Sequence, residues 1–233
     1  MRLDFPFMLH TFLVALRALP VTFQITLVAL LIAVPFGFFM ALCDIYRVRV
    51  LRQLSAVYIS FIRGTPIVLQ ILIVYSLLPS LLNAIIKSRS WNINIFDLNP
   101  IIYAYIVFAM NNAAQLAELF RSAILAVDKG QHEAALASGL SAAQSYYRII
   151  IPQAMVVALP NFCNLAITLI KNTSLAFIMT VKDITAAAKI EASYGYNYVE
   201  AYLDIFVLYI IICALTQLLF ERAERRFARN KTA

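Results

Sequence analysis

From Val21 to Cys43 the chain runs without a single charged residue. About 20 apolar residues in helical form cross the ~30 Å hydrocarbon core of a bilayer. In lipid, only a structure that satisfies every backbone N–H and C=O internally is tolerated. The run therefore predicts a membrane-spanning helix over 21–43, with Pro35 and Gly37 as points of kinking or close packing. Further spans are expected at about 54–82, 100–119, 149–170 and 201–220. Composition fits this solvent. Of 233 residues, 63% are hydrophobic and 13% charged, against ~25% charged in a soluble domain. The expected fold is a single all-α integral membrane domain of about five spans.

The segments between spans are distinct. Residues 1–20 hold Pro6, His10 and Arg17 and predict an interfacial helix over Phe5–Leu19, with a sixth span as the alternative. Lys87–Asn99 is a polar linker containing Trp91, the single tryptophan. Lys171–Glu200 is semi-polar, with an amphipathic helix expected over 173–190, and 221–233 is a basic tail. The +7 net charge sits at span ends, not along one stripe, which argues against nucleic acid and for topology signals. Arg47, Arg49, Arg52, Arg121, Lys129, Arg148 and the tail, Lys231 included, gather on one side; Arg2, Arg17, Lys87 and Lys171 are among the fewer on the other. The bias predicts the N-terminus outside and the C-terminus in the cytoplasm. Cys43, Cys163 and Cys213 stand far apart in apolar runs, as small core residues do.

That orientation puts 128–148 in the cytoplasm. Residues 130–152 read GQHEAALASGLSAAQSYYRIIIP. A short helix over Gln131–Ser138 is expected to stop at Gly139, the residue that accepts a left-handed backbone. Ser141 with Gln144 three residues on spells a capping box for a second helix. The alanines keep both helices thin, so the pair forms a wedge able to enter a partner's groove, with Glu133 at its edge.

Glu133-Ala134-Ala135, Gly139-Leu140, and then Ile149, Ile151 and Pro152 resemble the EAA motif, EAA-x3-G-x9-I-x-L-P, with Ile151 in place of Leu. That motif belongs to importer permeases of the ATP-binding-cassette class. FIRGTPIVLQ (Phe61–Gln70), AELFRSAI (Ala117–Ile124), IIIPQA (Ile149–Ala154) and KNTSL (Lys171–Leu175) are similar, in order, to signatures of the polar amino-acid permease subfamily. The likeness spans about residues 18–227. It implies a type I importer fold in the bacterial inner membrane. It further implies a second permease subunit, identical or related, a dimer of ATPase subunits that bind ATP and Mg, and an extracytoplasmic binding protein delivering a polar amino acid. In that resemblance Glu133, Ala134, Ala135, Gly139, Leu140 and Pro152 couple the permease to the ATPase. No cofactor is expected in this chain. Its five glycines lie at 37, 64, 130, 139 and 195. No two are five apart, so GxxxxGK[ST] cannot be formed.

Polar residues within the spans supply the candidate path. Asn111, Asn112 and Gln115 are uncommon in a membrane helix, where polar groups face a bundle interior or aqueous route. They either line the solute path or hydrogen-bond between helices, with Glu118 paired to Arg121. Asn161 and Asn164 are further path candidates. Arg63, Gly64, Thr65 and Pro66 break the second span, as a hinge lining the path or with Arg63 reaching to the interface. Lys171, Thr173 and Ser174 form a gate or a solvated helix end. His10 and His132 are far apart with no HExxH, and no G-x-S-x-G is present, so metal and hydrolase chemistry have no frame. An ion-gradient-driven carrier is the alternative function, weakened by the lack of the repeated halves such carriers show. A membrane-embedded enzyme has no catalytic constellation to support it.

Overall fold

The computed structural model describes residues 3–90 and 94–229. Arg2, Trp91 and Lys231, named above, lie outside them, as does the end of the tail. Helix α1 (Phe5–Arg17) starts at Asp4, whose carboxylate accepts the Phe7 N–H at 3.1 Å. Pro6 sits in the first turn, where no N–H is required. At 13 residues α1 is about 20 Å long, short of the bilayer core. A bend at Ala18 leads into α2 (Leu19–Ile45).

The stretch expected at 54–82 divides at the interruption read over Arg63–Pro66 into two helices, α3 (Arg49–Arg63) and α4 (Ile67–Ser88). The cause is Pro66: it has no N–H to give the Ile62 carbonyl, so the helix stops and restarts. The linker forms a short 3-10 turn at Ile95–Asp97 before α5 (Ile101–Leu125). Next come α6 (Lys129–Ala137), α7 (Ala142–Ser145), a π-helical turn at Tyr146–Ile150 and α8 (Ile151–Asn172). The amphipathic helix expected across 173–190 is instead interrupted. A 3-10 segment, Thr173–Met179, ends at Thr180 with φ +61°, and α9 (Ile184–Gly195) begins after the Asp183 cap. Helix α10 (Tyr198–Arg229) closes the fold.

Among the described residues four stretches are long and apolar enough to cross a membrane: Phe5–Ile45, Ile67–Ser88, Ala142–Met179 and Tyr198–Arg226. Helix α5, expected as a span, is not one of these four. Its amides lower its apolarity, yet it is the central helix, with most of its residues between Tyr103 and Ile124 buried, and it packs against α2, α3, α4 and α8. A helix wrapped by other helices meets protein where an outer one meets lipid, so its polar residues are tolerated.

The outside of the bundle is apolar. Phe5, Leu9, Leu13 and Leu16 on α1, and Phe206, Ile210, Leu215 and Leu219 on α10, are all exposed. Contiguous apolar surface of this kind belongs in lipid. Inside, small residues dominate. Ala33, Ala41, Ala113, Ala117, Ala154 and Ala158 let α2, α5 and α8 approach closely. At Gly37 an added Cβ would lie 2.8 Å from the Leu116 Cβ and 3.0 Å from the Ala113 carbonyl oxygen, so α2 touches α5 backbone to backbone. A second packing group joins α1, α9 and α10 through Ala15, Ile184, Ala188, Ala201 and Leu208.

Candidate functional site

Two features stand out: an elbow outside the bundle and a polar groove that opens on its surface between α3, α5 and α8. The elbow opens at Asp128, whose carboxylate accepts the Gly130 N–H at 2.6 Å and caps α6. Its turn is a Schellman motif. Gly139 has φ +83°, its N–H donates to the Leu136 carbonyl at 3.0 Å, and the Leu140 N–H donates to that of Ala135 at 3.1 Å. Ser141 then forms a complete capping box: the Gln144 N–H reaches Ser141 Oγ at 3.3 Å, and the Ser141 N–H reaches Gln144 Oε1 at 2.9 Å. Downstream, Pro152 offers no N–H to Arg148, and the Ile151 N–H turns to Tyr146, five residues back, giving the π turn.

The two arms of the elbow are tied together. His132 Nδ1 lies 2.8 Å from Ser145 Oγ, and Gln153 Nε2 donates to Gln131 Oε1 at 3.2 Å. The His132 ring meets Tyr146 edge-on at 5.3 Å, and Tyr146 meets Tyr46, past the end of α2, at 5.7 Å. Of the motif residues Ala135 is buried, whereas Glu133, Ala134 and Gly139 are exposed on the outer side. Leu136 and Tyr147 are also exposed. Neither stands out in the sequence, because a Leu or Tyr carries no signal until its burial is known.

The groove forms where α3 breaks. Phe61 and Ile62 lose backbone partners at the break, and side chains replace them. Thr65 Oγ1 donates to the Phe61 carbonyl at 2.9 Å, and Gln70 Nε2 donates to the Ile62 carbonyl at 2.8 Å. Gln70 Oε1 in turn accepts from Asn111 Nδ2 at 3.0 Å, and Asn111 Oδ1 accepts from Gln115 Nε2 at 2.7 Å. Asn111 is thus an inter-helix clasp that fixes the break against α5. Gln70, not among the site residues read from the sequence, completes this clasp; a lone amide inside the apolar run 67–75 is the available signal.

Gln115, Glu118, Asn161 and Asn164 converge with Arg63 around a cavity of about 370 Å³ between α3, α5 and α8. A second cavity of about 320 Å³ runs on past Thr65, Asn111, Gln115 and Asn172. A third, of about 330 Å³, extends to Asp44, Arg52 and Arg121. Arg63 borders all three, and it pairs with no acid among the described residues. Glu118 Oε2 accepts from Arg121 Nη2 at 2.9 Å, while Asp44 holds Arg52 at 2.8 Å and Arg121 at 3.7 Å.

Other candidates fall elsewhere. Asn112 is 2% exposed and donates to the Phe108 carbonyl of its own helix, away from the groove. Thr173 is buried and bonded to the Ile170 carbonyl, and Ser174 donates to that of Lys171. Their neighbour Asn172 is the one that reaches a cavity.

Residues 33–229 match the family described as the binding-protein-dependent transport system inner membrane component. The chain belongs to that family. It is 38% identical over 214 residues to the L-cystine transport system permease protein TcyL of Bacillus subtilis (strain 168), covering 92% of this chain and 87% of that protein. To the probable amino-acid permease protein YxeN of the same organism it is 39% identical, over 95% and 96% of the two chains. A crystal structure of an amino acid ABC transporter with histidines superposes with a TM-score of 0.80 at 30% identity, over 97% of this chain and 100% of that one. The inward-facing MetNI methionine ABC transporter shares the fold, with a TM-score of 0.69 at 18% identity, over 97% and 99% of the two chains. This family member is a multi-pass permease subunit of an ATP-binding-cassette importer with the type I transmembrane fold. It is not an enzyme, since ATP is hydrolysed on a separate subunit, and it works with an ATPase and a binding protein. Membership removes the gradient-driven carrier as a reading.

Proposed function

We propose that this permease carries a polar amino acid into a bacterial cell as one of two paired permease subunits, identical or related. They stand on an ATPase dimer that holds ATP and Mg, and an extracytoplasmic binding protein loads them. The N-terminus lies outside and the C-terminus in the cytoplasm, so the elbow faces the ATPase. Exposed Glu133, Ala134 and Leu136 form its docking side, Gly139-Leu140 its turn, and Pro152 its exit into the bundle. Closure of the ATPase dimer moves the elbow and tilts the spans, so that ATP-bound and ATP-free states differ in their affinity for solute.

The observation that carries this reading is the groove. It places the Arg63 guanidinium, which no acid among the described residues holds, beside Gln115, Asn161, Asn164 and the Glu118 carboxylate. Arg63, Asn161 and Asn164 are exposed and Gln115 and Glu118 half-buried, so the groove is a polar strip on a bundle whose surface is otherwise largely apolar. A guanidinium binds a carboxylate through a planar fork. The amides and Glu118 suit an ammonium group and a polar side chain. A zwitterion finds complementary charge here, whereas an apolar solute would leave the Arg63 guanidinium without a counter-charge among the described residues.

Reconstitution tests it. Vesicles holding the chain, its ATPase and its binding protein are offered a pool of tritiated amino acids, with and without internal ATP. ATP-dependent accumulation is expected, and none by the lone chain. Accumulation by the lone chain under a sodium or proton gradient would overturn the proposal.

A further inference from the structure

The Gly139 turn poses a mechanical problem. Nothing lies within 4 Å of the position a Cβ would take there, so the turn itself has open space around it. The π turn at Tyr146–Ile150 is a second irregular joint, between the elbow and α8. A lever with two unbraced joints absorbs displacement. Contacts that cross both joints must therefore brace it if it is to transmit.

We propose that His132 is the positioning residue that braces this lever. The inference rests on reading α6 as the element that meets the ATPase. His132 lies on α6, and Ser145, its partner 13 residues away, ends α7 and is 0% exposed. The bond at 2.8 Å spans the Gly139 turn and sets the angle between the arms. An imidazole suits the place because Nδ1 sits close to the backbone and pairs with a hydroxyl as donor or acceptor. The same ring packs on Tyr146, the first residue of the π turn, and so bridges the second joint too.

From Tyr146 the contacts lead to the bundle. Its ring meets Tyr46, two residues beyond Asp44. Asp44 holds Arg52 of α3 and Arg121 of α5, and Arg121 holds Glu118 at the wall of the groove. Displacement of α6 thus reaches α2, α3 and α5 through packed rings and ion pairs, as well as α8 through the backbone. His132 is no part of the EAA motif, and it touches neither groove nor solute.

Adjacency becomes coupling only if energies are non-additive. The assay uses the complete complex in vesicles and reads tritiated amino acid moved per ATP hydrolysed, from a pool of tritiated amino acids. Ser145→Ala is expected to lower that ratio about five-fold, the scale of one lost hydrogen bond, and His132→Ala by more, because it also removes the ring packed on Tyr146. The double variant is expected to be no worse than His132→Ala. His132→Asn, whose amide can occupy the place of Nδ1, restores most of the ratio, and His132→Phe, which keeps the ring alone, restores less. Cross-linking from Gln131→Cys to the ATPase runs in parallel and is expected to be equal in wild-type and His132→Ala backgrounds. Equal cross-linking with an unchanged ratio overturns the brace alone. No cross-link in the His132-containing complex overturns the docking reading and the brace with it. Loss of the cross-link only in His132→Ala would make His132 a docking residue and refute the positioning role.

Discussion

Substituting Gly139 by asparagine, alanine and valine separates backbone strain from crowding at the elbow. The site has φ +83° and no atom within 4 Å of the place an added Cβ would occupy, so every substituent fits and only the backbone objects. A left-handed conformation costs an L-residue about 1–2 kcal/mol. Alanine is therefore expected to reduce the closed-to-open ratio of the Schellman turn by about five-fold or more. Asparagine visits this region readily and should behave nearly as glycine. Valine, branched at Cβ, is worst. Two hydrogen bonds, from the Gly139 and Leu140 N–H groups, go with the turn, so the effect falls on elbow geometry and not on the membrane bundle. The assay is solute-stimulated ATP hydrolysis of the reconstituted complex, with membrane insertion checked separately. The expected order is glycine, asparagine, alanine, valine. Valine equal to glycine, or asparagine worse than alanine, refutes the argument from φ.

Gly37→Ala tests the opposite case: its Cβ would meet the Leu116 Cβ at 2.8 Å, and overpacking of this kind costs about 1–3 kcal/mol. Thermal unfolding in detergent should show a lower Tm, which Leu116→Ala cannot rescue, because alanine retains the offending Cβ. Gln70→Leu strips the Ile62 carbonyl and the Asn111 amide of their partners, at about 1–3 kcal/mol. Its Tm should fall too, and an unchanged value would remove Gln70 from the clasp. Arg63→Ala should leave Tm unaltered, because the exposed guanidinium has no acid to lose among the described residues, yet lower ATP-driven uptake. Arg63→Lys, which keeps charge without the fork, should fall between.

The features legible from sequence are those that neighbours along the chain create. Val21–Cys43 needs no partner to require lipid. Gly139 and the Ser141–Gln144 box act within three or four residues of themselves, and the elbow they form is readable from the order of residues alone. Pro66 likewise breaks its own helix. What the tertiary structure decided depends on pairs far apart in the chain. Asn111 and Asn112 are chemically identical neighbours. One reaches Gln70, 41 residues away, and the other bonds to the Phe108 carbonyl of its own helix, because consecutive residues on a helix point about 100° apart. Only packing revealed which one faced the break. The meeting of Arg63 with Asn161 and Asn164, the grip of His132 on Ser145, and the tolerance of α5 for amides at the centre of the bundle also arise this way. Local chemistry fixes helices and turns, whereas the groove exists only where helices distant in sequence close around the same space.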